Sequence, residues 1–457
     1  MIQLQAISAK RVFPRTSFNS RFWAIAITDT AGYVGSGLDV AGKSLPVPSE
    51  HGGYAQVPRF ERTYVPFYGQ SLAVGGSGFP ALSTEASAID EMWVRGMRPE
   101  DDYYLESPPV WYGSVVPAAE SISPRYATQG ETPARGFADA VREFVLKDYG
   151  SANVKFHLAA PGQGGIEIVK LLKGNGTGYY ERMIAQMQAL VALKSGVETV
   201  GMEVLPFIHG ERDYLLATTG SAYKASLATL CSTIASDAIA EFGQTNTVLV
   251  LATQVASHIG NNNQVNAQIA LAQVEAVDEI VNFHLVCPMY FLPFKGTDVH
   301  LSALGYVWLG GYIAQAYKRL VVDGAVWEIV KPASYSVAGN VCEITYSVPT
   351  VHDLDNELVW DTALVPAQTN YGFRLFNSSD VEQTISSVAI ADGNKVVITA
   401  ASTIGAGWYI DYARQGDSTK GLGNLRDKAG DVLRAQTRPF NVPLHNWAVI
   451  SKSGALL

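Results

Sequence analysis

Between residues 59 and 322, short apolar runs alternate with longer segments in which apolar side chains recur every three or four positions. The short runs predict buried strands and the longer segments predict helices that pack on them. The predicted strands are Tyr64–Tyr68, Val154–Ala160, Gly201–His209, Thr247–Gln254 and Ile280–Cys287. The predicted helices are Pro133–Tyr149, Tyr180–Leu193, Ala222–Phe242, Asn263–Asp278 and Ser302–Val321. This alternation predicts an α/β domain, a parallel sheet with helices on both faces.

The pattern changes on both sides of this domain. Residues 1–58 mix short apolar runs with Gly, Ser and Pro turns, which predicts a β-rich lead-in. Residues 323–413 contain closely spaced β-type runs and predict a second domain, a β-sandwich. These runs are Asn340–Tyr346, Glu357–Trp360, Gly372–Leu375, Ile385–Ala391, Lys395–Ala400 and Trp408–Tyr412. Residues 414–457 show little periodicity and are expected to form a tail that packs on the other domains.

Composition narrows the class of protein. The 457 residues are 47% apolar and 16% charged, as in a packed globular chain. The net charge of −9 and the lack of a basic run disfavour nucleic-acid binding. The sequence contains no run of about 20 apolar residues, so we predict no membrane span. The N-terminus lacks a signal-peptide pattern. The three cysteines are too far apart for a metal or redox motif and are expected to be buried, apolar residues.

Tyr64–Gly78, with the sequence YVPFYGQSLAVGGSG, contains the first candidate for chemistry. The predicted strand stops at Gly69, and Ser71 follows on a turn that is rich in glycine. A serine just past a strand end presents its hydroxyl at the edge of the sheet, where a base can reach it. A serine that merely caps a helix would give the same local pattern.

A base for this serine is found in Gly296–Gly305, GTDVHLSALG, after the last predicted strand. A serine is a weak nucleophile until a base takes its proton, and a third group must hold the tautomer of the base. His300 supplies an imidazole, and Asp298 lies two positions before it. Taken alone, an Asp-x-His loop is more often a helix-capping cluster. We prefer the catalytic interpretation because loops that follow parallel strands meet at one edge of the sheet.

Donors for an oxyanion are also available at predicted strand ends. Gly164 and Gly165 follow the second strand and can offer backbone N–H groups without side-chain obstruction. His209 ends the third strand and could donate from its imidazole. A plain strand–helix turn and a structural histidine are the competing interpretations. The glycines of the nucleophile turn do not form the G-x-S-x-G pattern of ordinary α/β-hydrolases, and motifs for a zincin, a P-loop or a dinucleotide are absent.

Four sequence blocks resemble the SGNH/GDSL hydrolase superfamily, and within it the sialate O-acetylesterase-like carbohydrate esterases. Gly69–Ser71 resembles the GQS nucleophile block, Gly164–Ile168 the GGxxI block, His209–Asp213 the QGExD block and Asp298–His300 the closing Asp…His block. The resemblance covers about residues 60–320. It implies a flavodoxin-like, three-layer domain at residues 59–322 and a reaction without metal or cofactor.

The resemblance also implies roles for individual residues. Ser71 would be the nucleophile, His300 the base and then the acid, and Asp298 the orienting acid. The N–H groups of Ser71 and Gly165 would form the oxyanion hole with the side chain of His209. Three positions depart from the family pattern: Leu72 replaces Asn, His209 replaces Gln, and Asp-x-His replaces Asp-x-x-His, so Thr297 occupies the usual position of the acid. Asp298 or a backbone carbonyl would therefore orient His300.

The expected activity is removal of O-acetyl groups from a polysaccharide or a sialic-acid-like sugar. Residues 93–131 form a long insertion whose rings could stack on the faces of sugars. Candidate substrate contacts are Gln70, Gly164, Tyr103, Tyr104, Trp111 and Tyr112. The resemblance extends to deacetylating modules of phage tailspikes, so we expect a virion tail component or a cytoplasmic enzyme, and a trimer if it is a tailspike.

Two alternatives remain open. One is a glycan-binding or structural tail protein with a degenerate hydrolase site, which the irregular Asp-x-His block favours. The other is a lipase-like or thioester hydrolase of the same superfamily.

Overall fold

The structure is a computed structural model that describes residues 60–98, 113–123, 127–149, 154–261, 266–351, 354–437 and 440–457. It also describes the backbone of two short strands, β1 (Pro46–Pro48) and β2 (Tyr54–Gln56), which pair in antiparallel fashion. The rest of the predicted β-rich lead-in lies outside the described residues.

Nine strands build the sheet of the α/β domain. They are β3 (Arg62–Pro66), β4 (Tyr68–Gly69), β5 (Glu91–Trp93), β6 (Val115–Pro117), β7 (Phe156–Ala159), β8 (Val200–Met202), β9 (Val204–Ile208), β10 (Leu249–Gln254) and β11 (Phe283–Pro288). One group of hydrogen-bonded strands has the order β6-β5-β7-β3-β8 and the other the order β11-β10-β9-β4. All pairs are parallel except β5 with β6.

The two groups are consecutive parts of one strand array. β3 continues into β4 after Phe67, and β8 continues into β9 after Glu203. The predicted first and third strands, Tyr64–Tyr68 and Gly201–His209, are therefore each wrong as one uninterrupted strand. Glu203 lies at the break, is buried, and accepts a hydrogen bond of 2.5 Å from the Tyr317 hydroxyl. A carboxylate in the interior needs such a donor, and alternation along a sequence does not reveal it.

Counting β3–β4 and β8–β9 as single strands, the order of the five predicted strands is 2-1-3-4-5. This is the flavodoxin-like order, as the resemblance implied. From strand 1 the chain moves toward one edge of the sheet to form strand 2. It then reverses and moves toward the opposite edge to form strands 3, 4 and 5 in turn. The gap between strands 1 and 3 is the switch point, where such folds place their ligands.

Helices cover the sheet in two groups. They are α1 (Pro133–Tyr149), α2 (Tyr179–Leu193), α3 (Glu211–Leu215), α4 (Gly220–Phe242), α5 (Gln268–Glu279) and α6 (Ala303–Tyr317). α1 packs against α6, whereas α4 packs against α2 and α5. A right-handed crossover places its helix on one face when the chain moves one way across a parallel sheet and on the other face when it moves the opposite way, so the two groups lie on opposite faces. The last predicted helix ends in a π-helical turn, Lys318–Val322.

The C-terminal part forms antiparallel sheets. Its strands are β12 (Lys331–Ala338), β13 (Val341–Ser347), β14 (Leu358–Trp360), β15 (Phe373–Phe376), β16 (Glu382–Gln383), β17 (Ile385–Ala391), β18 (Lys395–Ala400), β19 (Tyr409–Tyr412), β20 (Leu425–Asp427), β21 (Arg434–Thr437), β22 (Phe440–Pro443) and β23 (Ser451–Lys452). Two sheets have four strands each, β12-β13-β18-β17 and β16-β15-β19-β23. Their buried apolar residues belong to one continuous core with those of the α/β domain.

Residues 414–457 are more regular than the predicted tail. β20 pairs with β14 and β23 pairs with β19, so this segment completes sheets that begin earlier in the chain. It also bonds to the α/β domain: the amide of Gln254 donates to the carbonyl of Ile450 over 2.9 Å, and the backbone N–H of Ile450 donates back over 2.8 Å. Pairing partners this far apart in sequence leave no local pattern, which explains the missed strands.

Two smaller predictions can be compared with the described residues. Cys231, Cys287 and Cys342 are buried free thiols, as expected. In the described part of the chain, no helix combines the length and apolar character needed to cross a membrane.

Candidate active site

The nucleophile candidate lies on a turn at the carboxyl end of strand 1. Gly69 ends β4 with a φ of 132°, and a Cβ atom there would lie 2.1 Å from the carbonyl oxygen of Ile208. Only glycine can make this approach to the neighbouring strand. The chain then turns, with the N–H of Gly76 donating to the carbonyl of Ser71 over 2.8 Å. The turn leaves the Ser71 side chain half-buried at the edge of the sheet.

Ser71, His300 and Asp298 form a hydrogen-bonded row. The Oγ of Ser71 lies 2.7 Å from Nε2 of His300, and Nδ1 of His300 lies 2.9 Å from Oδ1 of Asp298. A carboxylate can only accept, so Nδ1 carries the ring hydrogen and Nε2 accepts from the Ser71 hydroxyl. The structure therefore brings together residues that are 229 positions apart. Their arrangement matches what an activated serine requires.

The short spacing of the Asp-x-His loop does not prevent this contact. The N–H of Lys295 donates to the carbonyl of His300 over 2.9 Å, and the N–H of Asp298 donates to the carbonyl of Lys295 over 3.1 Å. These bonds fold the loop so that the Asp298 carboxyl faces the ring two residues on. Ser302 then caps α6 by accepting from the N–H of Gly305 over 3.2 Å. Of the two predicted partners for His300, the structure places the Asp298 carboxylate against Nδ1 and not a backbone carbonyl.

The second oxygen of Asp298 is also bonded. The hydroxyl of Ser77 donates to Oδ2 over 2.5 Å. Partial burial alone would raise the pKa of Asp298, but the hydrogen bonds from Ser77 and His300 outweigh it and lower the pKa below its usual value. Asp298 is therefore ionised at neutral pH, as its position beside an imidazole N–H requires. The sequence interpretation did not include Ser77, although it lies in the same glycine-rich stretch as Ser71.

The C-terminal segment supports the Asp-x-His loop from outside the α/β domain. The hydroxyl of Thr419 donates to the carbonyl of Thr297 over 3.2 Å, and its own carbonyl accepts from Gly260 over 2.7 Å. The ammonium of Lys420 lies 4.0 Å from the ring centroid of Phe294. These contacts join the tail to the loop that holds Asp298 and His300. No feature of the sequence pointed to them.

The loop after strand 2 lies beside Ser71. The N–H of Gln163 donates to the carbonyl of Gly69 over 2.9 Å, which ties this loop to the nucleophile turn. A Cβ atom at Gly164 would lie 3.7 Å from Cβ of Ser71, whereas one at Gly165 would face open space. Within the described residues, no hydrogen-bond acceptor is found for the backbone N–H of Ser71 or Gly165. Both N–H groups are therefore free to donate, as the predicted oxyanion hole requires.

His209 is turned away from such a role. Its Nε2 donates to the carbonyl of Ile166 over 2.9 Å, and Nδ1 lies 3.2 Å from the hydroxyl of Tyr223. The ring is fully buried and stacks between Phe207 and Tyr223. Burial lowers the pKa of His209 despite the nearby Asp213, so the ring is neutral. Both ring nitrogens are engaged, which disfavours the expected contribution of this side chain to an oxyanion hole.

Gln70 likewise points inward. The residue is only 2% exposed. Its side-chain NH2 group donates to Oε2 of Glu211 over 2.7 Å, and its amide oxygen accepts from the N–H of Arg212 over 3.3 Å. Burial raises the pKa of Glu211 to about 8, so this carboxyl is largely protonated at neutral pH. Gln70 therefore connects strand 1 to α3, and its position disfavours the expected contact with substrate.

Comparison with known proteins identifies the family. Residues 69–319, more than half of the chain, match the family model described as "Carbohydrate esterase, sialic acid-specific acetylesterase". The chain belongs to this family. It is thus a carbohydrate acetylesterase of the SGNH type, a carboxylic ester hydrolase that acts on an acetylated carbohydrate.

One solved structure shares the fold of this acetylesterase. A carbohydrate acetylesterase from Xanthomonas citri is 13% identical, with a TM-score of 0.55, covering 86% of this chain and 80% of that one. This likeness includes both the parallel sheet and the C-terminal antiparallel sheets. A carbohydrate acetylesterase from Sinorhizobium meliloti is 14% identical over 56% of this chain and 99% of that one, with a TM-score of 0.32. A comparison with curated proteins found no match.

The predicted aromatic platform, Tyr103, Tyr104, Trp111 and Tyr112, lies outside the described residues. Among the residues that the structure describes, no group of three or more His, Cys, Asp or Glu side chains could hold a metal ion. A reaction without metal or cofactor stays a prediction.

Proposed function

We propose that the acetylesterase removes O-acetyl groups from a sugar through a Ser71–His300–Asp298 triad. The observation that carries this proposal is the contact of 2.7 Å between the Ser71 hydroxyl and Nε2 of His300, with Asp298 bonded to Nδ1. All three residues lie within or beside loops at the carboxyl edge of the parallel sheet. The exposed fraction of the His300 side chain is 23%, so the row of bonded groups is open to solvent and to substrate at this edge.

In the first half of the reaction, the Oγ of Ser71 attacks the acetyl carbonyl carbon while Nε2 of His300 takes the hydroxyl proton. The negative charge of Asp298 stabilises the imidazolium that forms. The carbonyl oxygen becomes an oxyanion, and the N–H groups of Ser71 and Gly165 are the donors proposed to bind it. The imidazolium then gives its proton to the sugar oxygen, the ester bond breaks, and the deacetylated hydroxyl leaves.

In the second half, water replaces the sugar. His300 takes a proton from the water, which attacks the acetyl–Ser71 ester. The tetrahedral intermediate collapses, the proton returns to the Oγ of Ser71, and acetate is released. The steps need one water for each acetyl group and no redox partner. The substrate that we propose is an O-acetylated polysaccharide or sialic-acid-like sugar, as the description of the family suggests.

The test is acetate release from an O-acetylated glycan by wild type and by Ser71→Ala. We expect the substitution to lower kcat by about 10³-fold or more, because the covalent step is lost. Ser232→Ala, on the exposed side of α4, is the matched control and should act as wild type does. An unchanged rate for Ser71→Ala with a folded protein would end the proposal.

Related measurements would distinguish two other functions from this one. A glycan-binding or structural tail protein would bind acetylated glycan without releasing acetate; the bonded row of Ser71, His300 and Asp298 disfavours it. A lipase-like or thioester hydrolase would prefer long acyl chains in a series of nitrophenyl esters, whereas an acetylesterase prefers the acetyl ester. Two further points stay predictions: the location of the protein in a virion tail or in the cytoplasm, and its assembly into a trimer.

A further inference from the structure

Ser77 connects the two loops that hold the proposed triad. It lies six positions after Ser71 on the same turn, and its hydroxyl donates to Oδ2 of Asp298 over 2.5 Å. Asp298 thus uses one carboxylate oxygen for His300 and the other for Ser77. The nucleophile turn consequently contacts both other members of the row, His300 through Ser71 and Asp298 through Ser77.

The backbone of the turn is shaped for this second contact. Ser77 has a φ of 58°, in the left-handed region that serine rarely adopts. The preceding Gly76 lies against the imidazole, where a Cβ atom would be 2.9 Å from Cδ2 of His300. The carbonyl of Gly76 accepts from the hydroxyl of Tyr306 over 2.6 Å, which anchors the turn to α6. An unfavourable backbone conformation at a non-glycine residue persists only where the surrounding structure enforces it, and such residues cluster at active sites.

The Asp298 side chain needs such an anchor. Its exposed fraction is 37%, so packing alone does not hold the carboxyl group in one orientation. The loop between Asp298 and His300 is short, and a rotation of the carboxyl group would break the bond to Nδ1. A donor on Oδ2 opposes that rotation and favours the ionised carboxylate.

We propose that Ser77 is a positioning residue of the esterase, whose hydroxyl holds Asp298 in the orientation that His300 requires during acyl transfer. This inference rests on the proposed function. Ser77 does not touch the reacting atoms and acts through Asp298. It should therefore affect the chemical steps and leave substrate binding unchanged.

The first test is Ser77→Gly, which removes the hydroxyl and accepts a positive φ without strain. We expect kcat for acetate release to fall about 10-fold to 100-fold, the range for a lost hydrogen bond to a charged group, with KM within about twofold of wild type. Ala217→Gly is the matched control, because Ala217 also has a positive φ, 53°, and lies outside the triad. A loss that appears in KM instead of kcat would overturn the proposal.

The second test is a double-mutant cycle with Asp298→Ala. If Ser77 acts through Asp298, Ser77→Gly should cause no further loss in the Asp298→Ala background. Equal fold-losses in both backgrounds would contradict the proposal. Should Ser77→Gly fail to fold, Ser77→Ala enters the same cycle, since alanine also lacks the hydroxyl and Ala217 adopts a similar positive φ in this protein. Ser71→Ala separates the two proposals, since substantial acetate release by that variant would refute the triad itself.

Discussion

Two polar clusters lie side by side at the carboxyl edge of the parallel sheet, and they differ in where their hydrogen bonds point. In the first, the bonds of Asp298 and His300 lead to the half-buried hydroxyl of Ser71. In the second, Gln70 bonds to Glu211, and His209 bonds to Ile166 and contacts Tyr223. Ser71 and Gln70 are adjacent in sequence but belong to different clusters.

Burial separates the clusters further. The side chains of Asp298 and His300 are 37% and 23% exposed, whereas Gln70, His209 and Glu211 are at most 3% exposed. Every bond of the second cluster that we describe ends on a group inside the protein, so it can fix the loops but offers little to a substrate. Position at the edge of a sheet is therefore not sufficient for a catalytic role; the direction of the bonds and access to solvent distinguish the two clusters.

The contrast is strongest for substitutions of the carboxylates. Asp298→Asn should lower kcat on the order of 10³-fold, because an amide can donate to Nδ1 and favour the wrong imidazole tautomer. The matched control is Asp213→Asn in the second cluster, where the Asp213 carboxylate accepts from the N–H of Ile168 over 3.0 Å and lies 3.7 Å from Nε2 of His209. This variant should keep kcat within about 10-fold of wild type, with a lower thermal midpoint. Acetate release and thermal unfolding of both variants measure this difference. Similar losses of kcat would remove the distinction between the clusters.

His209 tests the second cluster directly. His209→Ala deletes a buried ring and the hydrogen bond to Ile166, so we expect a loss of about 3 kcal/mol in the free energy of unfolding. Measured below the unfolding transition, kcat should change less than about 10-fold. Removal of an oxyanion donor would instead lower kcat by about 10²-fold to 10³-fold. A loss of that size in a folded variant would restore the role that the family pattern implied for this position.

Glu211 gives the smallest and most specific effect, a change in how stability depends on pH. Burial raises its pKa in the folded protein to about 8, above the value of about 4.3 in an unfolded chain. Since the folded state binds this proton more tightly, stability falls as pH rises from about 4.3 through about 8. Glu211→Gln removes this loss.

Thermal midpoints at pH 6 and pH 9 check the prediction for Glu211. The decrease between these pH values should be smaller in Glu211→Gln than in wild type, and kcat should change little. Glu120, whose pKa burial also raises to about 8, is present in both proteins and does not affect the difference. An identical decrease in both proteins would show that Glu211 does not titrate as described.

Much of the α/β domain follows from local patterns. The helix predicted for Pro133–Tyr149 has those bounds in the structure. The parallel sheet, and hence the meeting of the loops that hold Ser71 and His300 at one edge, follows from strand–helix alternation. The order of the five main strands was implied by the family resemblance. The proximity of these two residues was therefore predictable before any contact was known.

The parts that could not be predicted depend on distant partners. His209 ends a strand at the same edge as Ser71, but Tyr223 on α4 and the carbonyl of Ile166 turn its ring inward. Thr419 supports the Asp-x-His loop from a segment that showed no periodicity. Local sequence indicates which residues reach an edge, whereas tertiary contacts decide which way their side chains point.

Labelling with a serine-reactive phosphonate tests the central claim most directly, because it reports on the nucleophile without depending on which sugar is the substrate. We expect a single adduct at Ser71, located by mass spectrometry. The adduct should be lost in His300→Ala, which lacks the base, and should form at nearly the wild-type rate in folded His209→Ala. Labelling that survives in His300→Ala, or that disappears only in His209→Ala, would contradict the account.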